Sequence, residues 1–329
     1  MSNVVLEVRD LKVHFPIPAD GFLPKPPIPL KAVDGVSFDI NRGETLGVVG
    51  ESGCGKSTLG RAIMQLIKPT DGKVVWMGED LTSLDKKVMR LKRKELQIIF
   101  QDPLASLNPR MTVGDIIAEP LKSFYPKMKG AERMAAVQEI MVKVGLLPQM
   151  INRYPHEFSG GQCQRIGIAR AMVLKPKMIV CDEPVSALDV SIQAQIVNLL
   201  KDLQEEFGLS LLFISHDLSI VKHVSHRILV LYLGKIMEVA DRKSLFSNPR
   251  HPYTKALISA ALVPDPKLQR TRERLTLKGD LPSPLSPPSG CVFRTRCPIS
   301  VDKCSEEIPK LIVTKNKNAV ACHKGDDIK

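Results

Sequence analysis

Long apolar runs and a secretory leader are what this sequence most clearly lacks. No apolar run approaches the ~18–20 residues that a transmembrane helix needs. The amino terminus, MSNVVLEVRD, has neither the basic start nor the apolar centre of a signal peptide. We therefore expect a cytosolic location. In that reducing compartment the seven cysteines should not form disulfides, so clustered ones point to metal or redox chemistry.

Acidic residues are too few to balance the basic ones, and the net charge is +12. Such an excess attracts polyanions, such as nucleic acids or an anionic membrane surface. The basic residues are interspersed with others, as in DKKVMRLKRKEL at 85–96, which favours solvated helix faces. We predict no nucleic-acid partner and only a modest role for the charge near lipid head groups.

Short apolar runs alternate with helical periodicities along the chain. TLGVVG at 45–50, KMIVCDE at 177–183 and LSLLFISHD at 209–217 are typical of buried parallel strands. The order strand, helix, strand predicts a right-handed crossover in a mostly parallel sheet. Residues 105–175 have a largely helical pattern, and a Pro/Ser stretch at 279–290 precedes a tail that is rich in cysteine.

A glycine-rich turn, GESGCGKST, joins one of these strands to a helix and fits the pattern G-x-x-x-x-G-K-[ST]. Glycines allow backbone N–H groups to surround phosphate oxygens, a lysine reaches the β and γ phosphates, and a serine hydroxyl can bind Mg²⁺. The turn therefore predicts an ATP site with Mg²⁺. Its residues are Gly50, Ser52, Gly53, Cys54, Gly55, Lys56, Ser57 and Thr58.

Two adjacent carboxylates, Asp182 and Glu183, end the strand MIVCDE. Ligands of open α/β sheets lie at the carboxyl ends of strands. We predict that Asp182 holds Mg²⁺, as the second-strand aspartate does in P-loop nucleotidases. Glu183 is then the candidate general base for the attacking water.

The segment FSGGQCQRIGIARAM at 158–172 resembles the signature of ATP-binding cassette (ABC) ATPases. Ser159, Gly160 and Gly161 open a helix whose exposed N–H groups suit an anion. The resemblance, over about residues 4–245, implies a P-loop NTPase cassette of the α/β class. Its mostly parallel sheet core would carry an antiparallel β subdomain and a helical subdomain at about 105–175.

The same resemblance implies roles for further residues. Ser159, Gly160, Gly161 and Gln162 would face ATP that is bound in a partner subunit. Gln101 would sense Mg²⁺ and couple to the membrane subunits. Asp189 would end the D-loop, Ser186 to Asp189, and His216 would contact the γ phosphate. Phe15 is the candidate for stacking on adenine, with packing in the core or a loop as its alternative. Cys163 departs from the family pattern, in which Arg or Gln is expected.

More narrowly, FQDPLASLNPRMTVGDIIAEPL and NPRHPYTKALISA resemble ATPase subunits of bacterial oligopeptide and dipeptide importers. That implies two transmembrane permease subunits, a second and non-identical ATPase subunit and an extracytoplasmic substrate-binding protein. The chain would lie peripherally on the cytoplasmic face of the cell inner membrane. Residues 1–248 would form the motor domain and 249–329 an extension. Nickel or glutathione remain alternative substrates.

Rivals from another class are DNA-maintenance ATPases and translation-associated ABC proteins. The former insert long heptad coiled coils between phosphate loop and signature, and no sustained heptads are present in this sequence. The latter normally carry two cassettes, whereas this chain has one set of motifs. Both are therefore disfavoured.

The tail cysteines follow the spacing C-x5-C-x6-C-x17-C, through Cys291, Cys297, Cys304 and Cys322. The spacing lacks the tight C-x2-C pairs of structural zinc sites. Four thiolates can hold an iron–sulfur cluster without fixed spacing, and Pro298 follows a cysteine as in many such loops. Comparable tails in some peptide-importer ATPases imply a [4Fe–4S] cluster, which we expect in this chain. Zinc and unliganded thiols are the alternatives.

Overall fold

The structure is a computed structural model that describes residues 3–18, 26–260, 275, 277, 279–313 and 318–325. It contains two compact units. The first comprises Met1–Asn3, Asn41–Thr45 and Ser83–Ile214, and the second comprises Val4–Ile40, Leu46–Thr82 and Ser215–Lys329. No helix in the described ranges is long and apolar enough to cross a membrane.

Strands and helices alternate along most of the described chain. The strands are β1 (Val4–Ile17), β2 (Ile28–Asn41), β3 (Thr45–Val49), β4 (Asp71–Trp76), β5 (Glu79–Asp80), β6 (Leu96–Ile99), β7 (Met178–Asp182), β8 (Ser210–Ile214), β9 (Arg227–Tyr232), β10 (Lys235–Asp241), β11 (Ile312–Val313) and β12 (Ala319–Val320). The helices are α1 (Lys56–Ile63), α2 (Lys86–Lys92), α3 (Val113–Phe124), α4 (Gly130–Lys143), α5 (Gly160–Met172), α6 (Val190–Phe207), α7 (Leu218–Val224), α8 (Arg242–Ser247), α9 (Pro252–Ala260) and α10 (Lys303–Glu306).

The first unit is built on parallel strands. β6 pairs with β7, and β7 pairs with β8, with Val180 opposite Ile98 on one side and Leu212 on the other. Every residue of β7 and β8 is buried, as expected of strands covered on both faces. α6 connects these two strands, which confirms the predicted order of strand, helix and strand.

Three helices of the first unit, α3, α4 and α5, pack against one another. α3 begins after Thr112, whose side chain accepts a hydrogen bond from the Asp115 N–H. Its buried residues recur at helical spacing, so one face of the helix is apolar. These helices confirm the prediction of a helical stretch at 105–175.

The second unit contains an antiparallel sheet with the strand order β2-β1-β4-β5. β1 and β4 place Leu6 opposite Trp76 and Val8 opposite Val74, and all four side chains are buried. This sheet confirms the antiparallel β subdomain that the resemblance implied.

The same unit contains β3, which runs parallel to β9. β10 pairs antiparallel with β9, and the tail adds β12 and then β11 beyond β10. Glu238 and Val239 of β10 lie opposite Val320 and Ala319. Backbone pairing therefore orders part of the tail.

Candidate functional site

The predicted phosphate loop, residues 50–58, follows β3 in the second unit and depends on two glycines. A Cβ at Gly50 would lie 2.1 Å from the carbonyl oxygen of Leu231, and one at Gly55 would lie 2.0 Å from that of Ala32. Gly55 also has a φ of +102°, which L side chains rarely adopt. The loop is therefore pressed against neighbouring backbone, and any side chain at either position would displace it.

Lys56 begins α1 and is only 5% exposed. Its ammonium donates to the carbonyl oxygens of Gly50, at 2.9 Å, and Glu51, at 3.0 Å. Both bonds stay within the loop, so the lysine and the backbone that surrounds it form one hydrogen-bonded unit. Because buried ammonium groups require oxygen partners, this position suits a lysine that also binds phosphate oxygens.

The remaining loop residues lie around this lysine. Ser52 and Gly53 are exposed, Ser57 and Thr58 are half-buried in the first turn of α1, and Cys54 is buried. Burial raises the pKa of the Cys54 thiol, which therefore stays protonated near neutral pH.

The predicted carboxylates lie in the first unit. Asp182 ends β7 and is 1% exposed. Glu183 follows with a φ of +47°, a left-handed conformation that costs free energy in a residue with a side chain. Its N–H donates to the Ile214 carbonyl oxygen at 3.0 Å, which keeps it beside β8. Such a strained backbone is typical of residues whose side-chain direction matters for function.

The Gln101 side chain, predicted to sense Mg²⁺, contacts the candidate base directly. Its Nε2 donates to Glu183 Oε2 at 3.1 Å, across 82 residues of sequence. Sequence reasoning gave both residues but not this bond. The amide oxygen of Gln101 is on the other side of the same group and is the atom suited to a cation.

The signature residues form the start of α5. The Ser159 hydroxyl accepts from the Gln162 N–H at 3.4 Å, and Gln162 Oε1 accepts from the Ser159 N–H at 3.0 Å. This reciprocal capping box fixes the first turn. A Cβ at Gly161 would lie 2.5 Å from Ile192 Cγ2, so the glycine allows α5 to approach α6 closely. Gly160 is half-buried beside Leu188.

Asp189 precedes α6 and caps its first turn, as Ser159 does for α5. Its carboxylate accepts from the Ile192 N–H at 3.0 Å and from the Ser191 hydroxyl at 2.8 Å. These bonds, led by the one from the Ile192 backbone, lower the pKa of Asp189. Asp189 and the signature therefore belong to two helices that meet at Gly161.

Two further predicted residues belong to the second unit. Phe15 is half-buried in β1, and His216 is exposed just beyond β8. Their predicted roles in stacking on adenine and contacting the γ phosphate stay predictions.

Comparison with known proteins identifies the family to which this chain belongs. Residues 33–186 match the family model described as ABC transporter, and residues 237–304 match that of the oligopeptide/dipeptide transporter C-terminal region. The chain is 59% identical to the oligopeptide transport ATP-binding protein OppF of Salmonella typhimurium, over 99% of this chain and 98% of that protein. The chain belongs to the ATP-binding subunits of ABC transporters. It is therefore an ATPase motor subunit of the oligopeptide importer group.

Other relatives agree with this membership. The oligopeptide transport ATP-binding protein AppF of Bacillus subtilis is 53% identical over 98% of both chains. Among solved structures, the cbiO1 protein of Clostridium perfringens has a TM-score of 0.64 at 26% identity, over 75% of this chain and 92% of its own. The cassette fold expected from the motifs is thereby confirmed.

The iron–sulfur prediction for this cassette ATPase is wrong. Among the described residues, no group of three or more His, Cys, Asp or Glu side chains is arranged to hold a metal ion. Burial, followed by the neighbouring tail cysteines, raises the pKa of Cys291 to about 11, so its thiol is protonated at neutral pH.

The tail of the ATPase is ordered by packing. The Cys291 N–H donates to the Cys304 carbonyl oxygen at 2.8 Å, and both residues are buried. Burial likewise raises the pKa of Cys297 and Cys322. The four cysteines are free thiols, two of them buried and two half-buried, and act as small, mostly apolar side chains.

Cys163, which departs from the family pattern, is also a packing residue. It is fully buried in α5, and its Sγ lies 3.5 Å from the Pro155 carbonyl oxygen. The capping box of Ser159 and Gln162 forms with Cys163 in place.

The segment His251–Tyr253 makes contacts that the sequence analysis did not predict. The buried carboxylate of Glu238 accepts the N–H groups of Arg250, at 2.9 Å, and His251, at 2.8 Å. His251 Nδ1 accepts the Tyr253 N–H at 3.1 Å. These bonds fix the start of α9. The sequence had indicated this segment only through the resemblance of NPRHPYTKALISA to importer ATPases.

Protonation of His251 is expected to destabilise the second unit. Burial lowers the pKa of His251 from 6.5 to about 3, because the charged imidazolium loses its hydration in the interior. The folded pKa lies below the unfolded one, so this stabilisation is complete above pH 6.5 and is lost as pH falls towards 3. The loss should not exceed about 1.4 kcal/mol per pH unit.

His251→Gln tests this prediction, because its amide oxygen can accept the same hydrogen bond without titrating. The free energy of unfolding, measured in urea from pH 7 to pH 4, should fall less steeply with pH in this variant. His223→Gln changes an exposed histidine of α7 and should follow the unchanged protein. Equal slopes for all three proteins would show that His251 does not titrate in this range.

Proposed function

We propose that this chain binds and hydrolyses ATP with Mg²⁺ to drive the import of oligopeptides or dipeptides. One observation carries the proposal. The similarity to oligopeptide transport ATP-binding proteins extends over 99% of the chain and includes the region at 237–304. Nickel and glutathione importers stay the alternatives within the same family.

The chemistry of the predicted site fits these ligands. A Cβ at Gly50 or Gly55 would clash with neighbouring backbone, so glycine at both positions allows the tight turn whose N–H groups can surround a phosphate. The donors proposed for Mg²⁺ are all oxygens, from the Ser57 hydroxyl, the Gln101 amide and the Asp182 carboxylate, and hard cations prefer oxygen. Bound Mg²⁺ would neutralise charge that develops on the phosphates.

The proposed roles follow the site residues. Phe15 stacks on adenine, residues 50 and 52–58 hold the phosphates, and His216 contacts the γ phosphate. Glu183 accepts a proton from the attacking water, and Gln101 holds the carboxylate in place through the bond to Oε2. Ser159, Gly160, Gly161, Gln162 and Asp189 face ATP in a second ATPase subunit.

A dimer of cassettes is part of the proposal. A solved dimer of the cassette MJ0796, in a post-hydrolysis state with ADP and Pi bound, has a TM-score of 0.63 at 29% identity to this chain, over 72% of this chain and 98% of its own. ATP can close such a pair only if it binds the closed state better than the open one. Hydrolysis removes the γ phosphate contacts that favour closure.

As a subunit of an ABC importer, the chain works with membrane permeases. We propose two transmembrane permease subunits, a non-identical partner ATPase and an extracytoplasmic substrate-binding protein. The chain would lie on the cytoplasmic face of the bacterial inner membrane. Residues 1–248 would be the motor and 249–329 its extension. Within the extension, residues 261–274, 276, 278, 314–317 and 326–329 lie outside the described part.

The test is transport by the complete complex in liposomes. Labelled tripeptides, nickel and glutathione are offered separately with ATP and the substrate-binding protein. We expect uptake of peptide that stops when Lys56 is replaced by alanine. Uptake of nickel or glutathione without peptide would favour the alternatives, and co-purification with ribosomes instead of permeases would contradict the importer.

A further inference from the structure

Glu51, the residue after the first loop glycine, is held from three directions within the second unit. Its carbonyl oxygen accepts the Lys56 ammonium at 3.0 Å. Its N–H donates to the Tyr253 hydroxyl at 2.9 Å. Its carboxylate accepts from Arg296, with Nη1 at 2.9 Å from Oε2 and 3.1 Å from Oε1.

Two of those three contacts come from the region beyond residue 248. Arg296 lies in the cysteine tail, 245 residues away in sequence, and its side chain is only 11% exposed. The Glu51 side chain is 27% exposed. Charge-assisted hydrogen bonds from so buried a guanidinium are stronger than surface ion pairs, because water competes less for it.

Aromatic packing holds both Tyr253 and Arg296 in place. Phe293 is fully buried, and its ring centroid lies 5.3 Å from that of Tyr232 and 5.4 Å from that of Tyr253. The Arg296 N–H donates to the Phe293 carbonyl oxygen at 3.0 Å, and its guanidinium lies 5.9 Å from the Tyr232 ring centre. The Arg296 guanidinium therefore extends from a tail segment that is packed into a buried aromatic cluster.

We propose that Arg296 and Tyr253 are positioning residues for the phosphate loop, so that a docked tail keeps the loop in the form that binds ATP. The carbonyl oxygen of Glu51 positions the Lys56 ammonium, and the tail positions Glu51. The inference rests on the proposed function in one respect, namely that this loop binds ATP phosphates. It adds that loss of the tail contact weakens nucleotide binding without removing any group that touches the nucleotide.

Binding of AMP-PNP with Mg²⁺ to the full chain, measured by titration calorimetry, tests this proposal. Arg296→Gln keeps most of the length of the side chain but loses its charge, and should raise the dissociation constant about five- to tenfold. Tyr253→Phe keeps the ring and loses the acceptor for the Glu51 N–H, and should weaken binding in the same direction. Arg296→Lys restores a charge and should recover most of the affinity.

Arg294→Gln is the matched control. Arg294 lies two residues away, and its guanidinium donates to the Ser289 carbonyl and hydroxyl oxygens instead of the loop. This variant should bind AMP-PNP as the unchanged protein does. If Arg296→Gln also binds unchanged while Lys56→Ala loses binding, the tail does not position the loop.

A double-mutant cycle separates positioning from a general loss of tail stability. If Arg296 acts through Glu51, then adding Arg296→Gln to Glu51→Gln should cause no further loss of affinity. Independent losses in the two variants would overturn the proposal. Unchanged binding in Lys56→Ala would instead overturn the proposed function of the loop, and this inference with it.

Discussion

Replacing Glu183 by glutamine is expected to slow ATP hydrolysis about 10²–10⁴-fold, the usual contribution of a general base, while nucleotide binding persists. Glutamine has the shape of glutamate but no basicity. Its amide oxygen can still accept from Gln101 Nε2, as Glu183 Oε2 does at 3.1 Å. The strained backbone at a φ of +47° is unchanged by the substitution. The variant therefore isolates proton transfer.

The measurement is phosphate release by the complete transporter, with AMP-PNP binding measured in parallel. Glu205→Gln is the control, since Glu205 is an exposed glutamate of α6 and the change in charge is the same. It should hydrolyse ATP at the unchanged rate. Hydrolysis by Glu183→Gln within about threefold of that rate would remove Glu183 from the role of base.

Replacing Phe293 by alanine is expected to cost about 3–5 kcal/mol of local stability, since loss of a buried aromatic side chain removes apolar burial and leaves a cavity. The ring contacts Tyr232, Tyr253 and His251, with centroid distances of 5.3, 5.4 and 5.5 Å. Without it the tail loses a fully buried aromatic anchor within the second unit. Arg296, whose N–H donates to the Phe293 carbonyl oxygen, should then leave Glu51.

Hydrogen exchange of residues 290–313, followed by mass spectrometry, measures this local opening. Protection should fall at least 100-fold, which corresponds to about 2.7 kcal/mol. Val301→Ala is the control, because Val301 is exposed in the same tail and its loss should change stability by no more than about 0.5 kcal/mol. Unchanged protection in Phe293→Ala would mean that backbone pairing through β12 suffices to hold the tail.

The motifs predicted most residues of the candidate site, because the chemistry of each motif depends on residues that are close together in the sequence. A phosphate loop needs Gly50, Gly55 and Lys56 at fixed spacing, and the backbone clashes that a Cβ would make at 50 and 55 explain why both are glycine. The signature capping box joins Ser159 and Gln162, three residues apart. Local geometry of this kind follows from local sequence.

For the tail cysteines, the spacing in the sequence led to a wrong prediction. Cys291, Cys297, Cys304 and Cys322 suggested a cluster, but a metal site requires sulfur atoms at defined distances in space, and no such group occurs among the described residues. The tail is ordered instead by Phe293 and by the strand Ala319–Val320. Neither feature carries a sequence motif.

The sequence by itself determined the cassette, the phosphate loop, the signature and the two carboxylates, because each of these motifs is built from residues that are close together in the chain. Only the tertiary structure decided that Gln101 bonds to Glu183 and that Arg296 bonds to Glu51, across 82 and 245 residues. The physical reason is the same in both cases. A hydrogen bond between distant segments depends on how strands and buried rings bring backbones together, and one sequence does not state those distances.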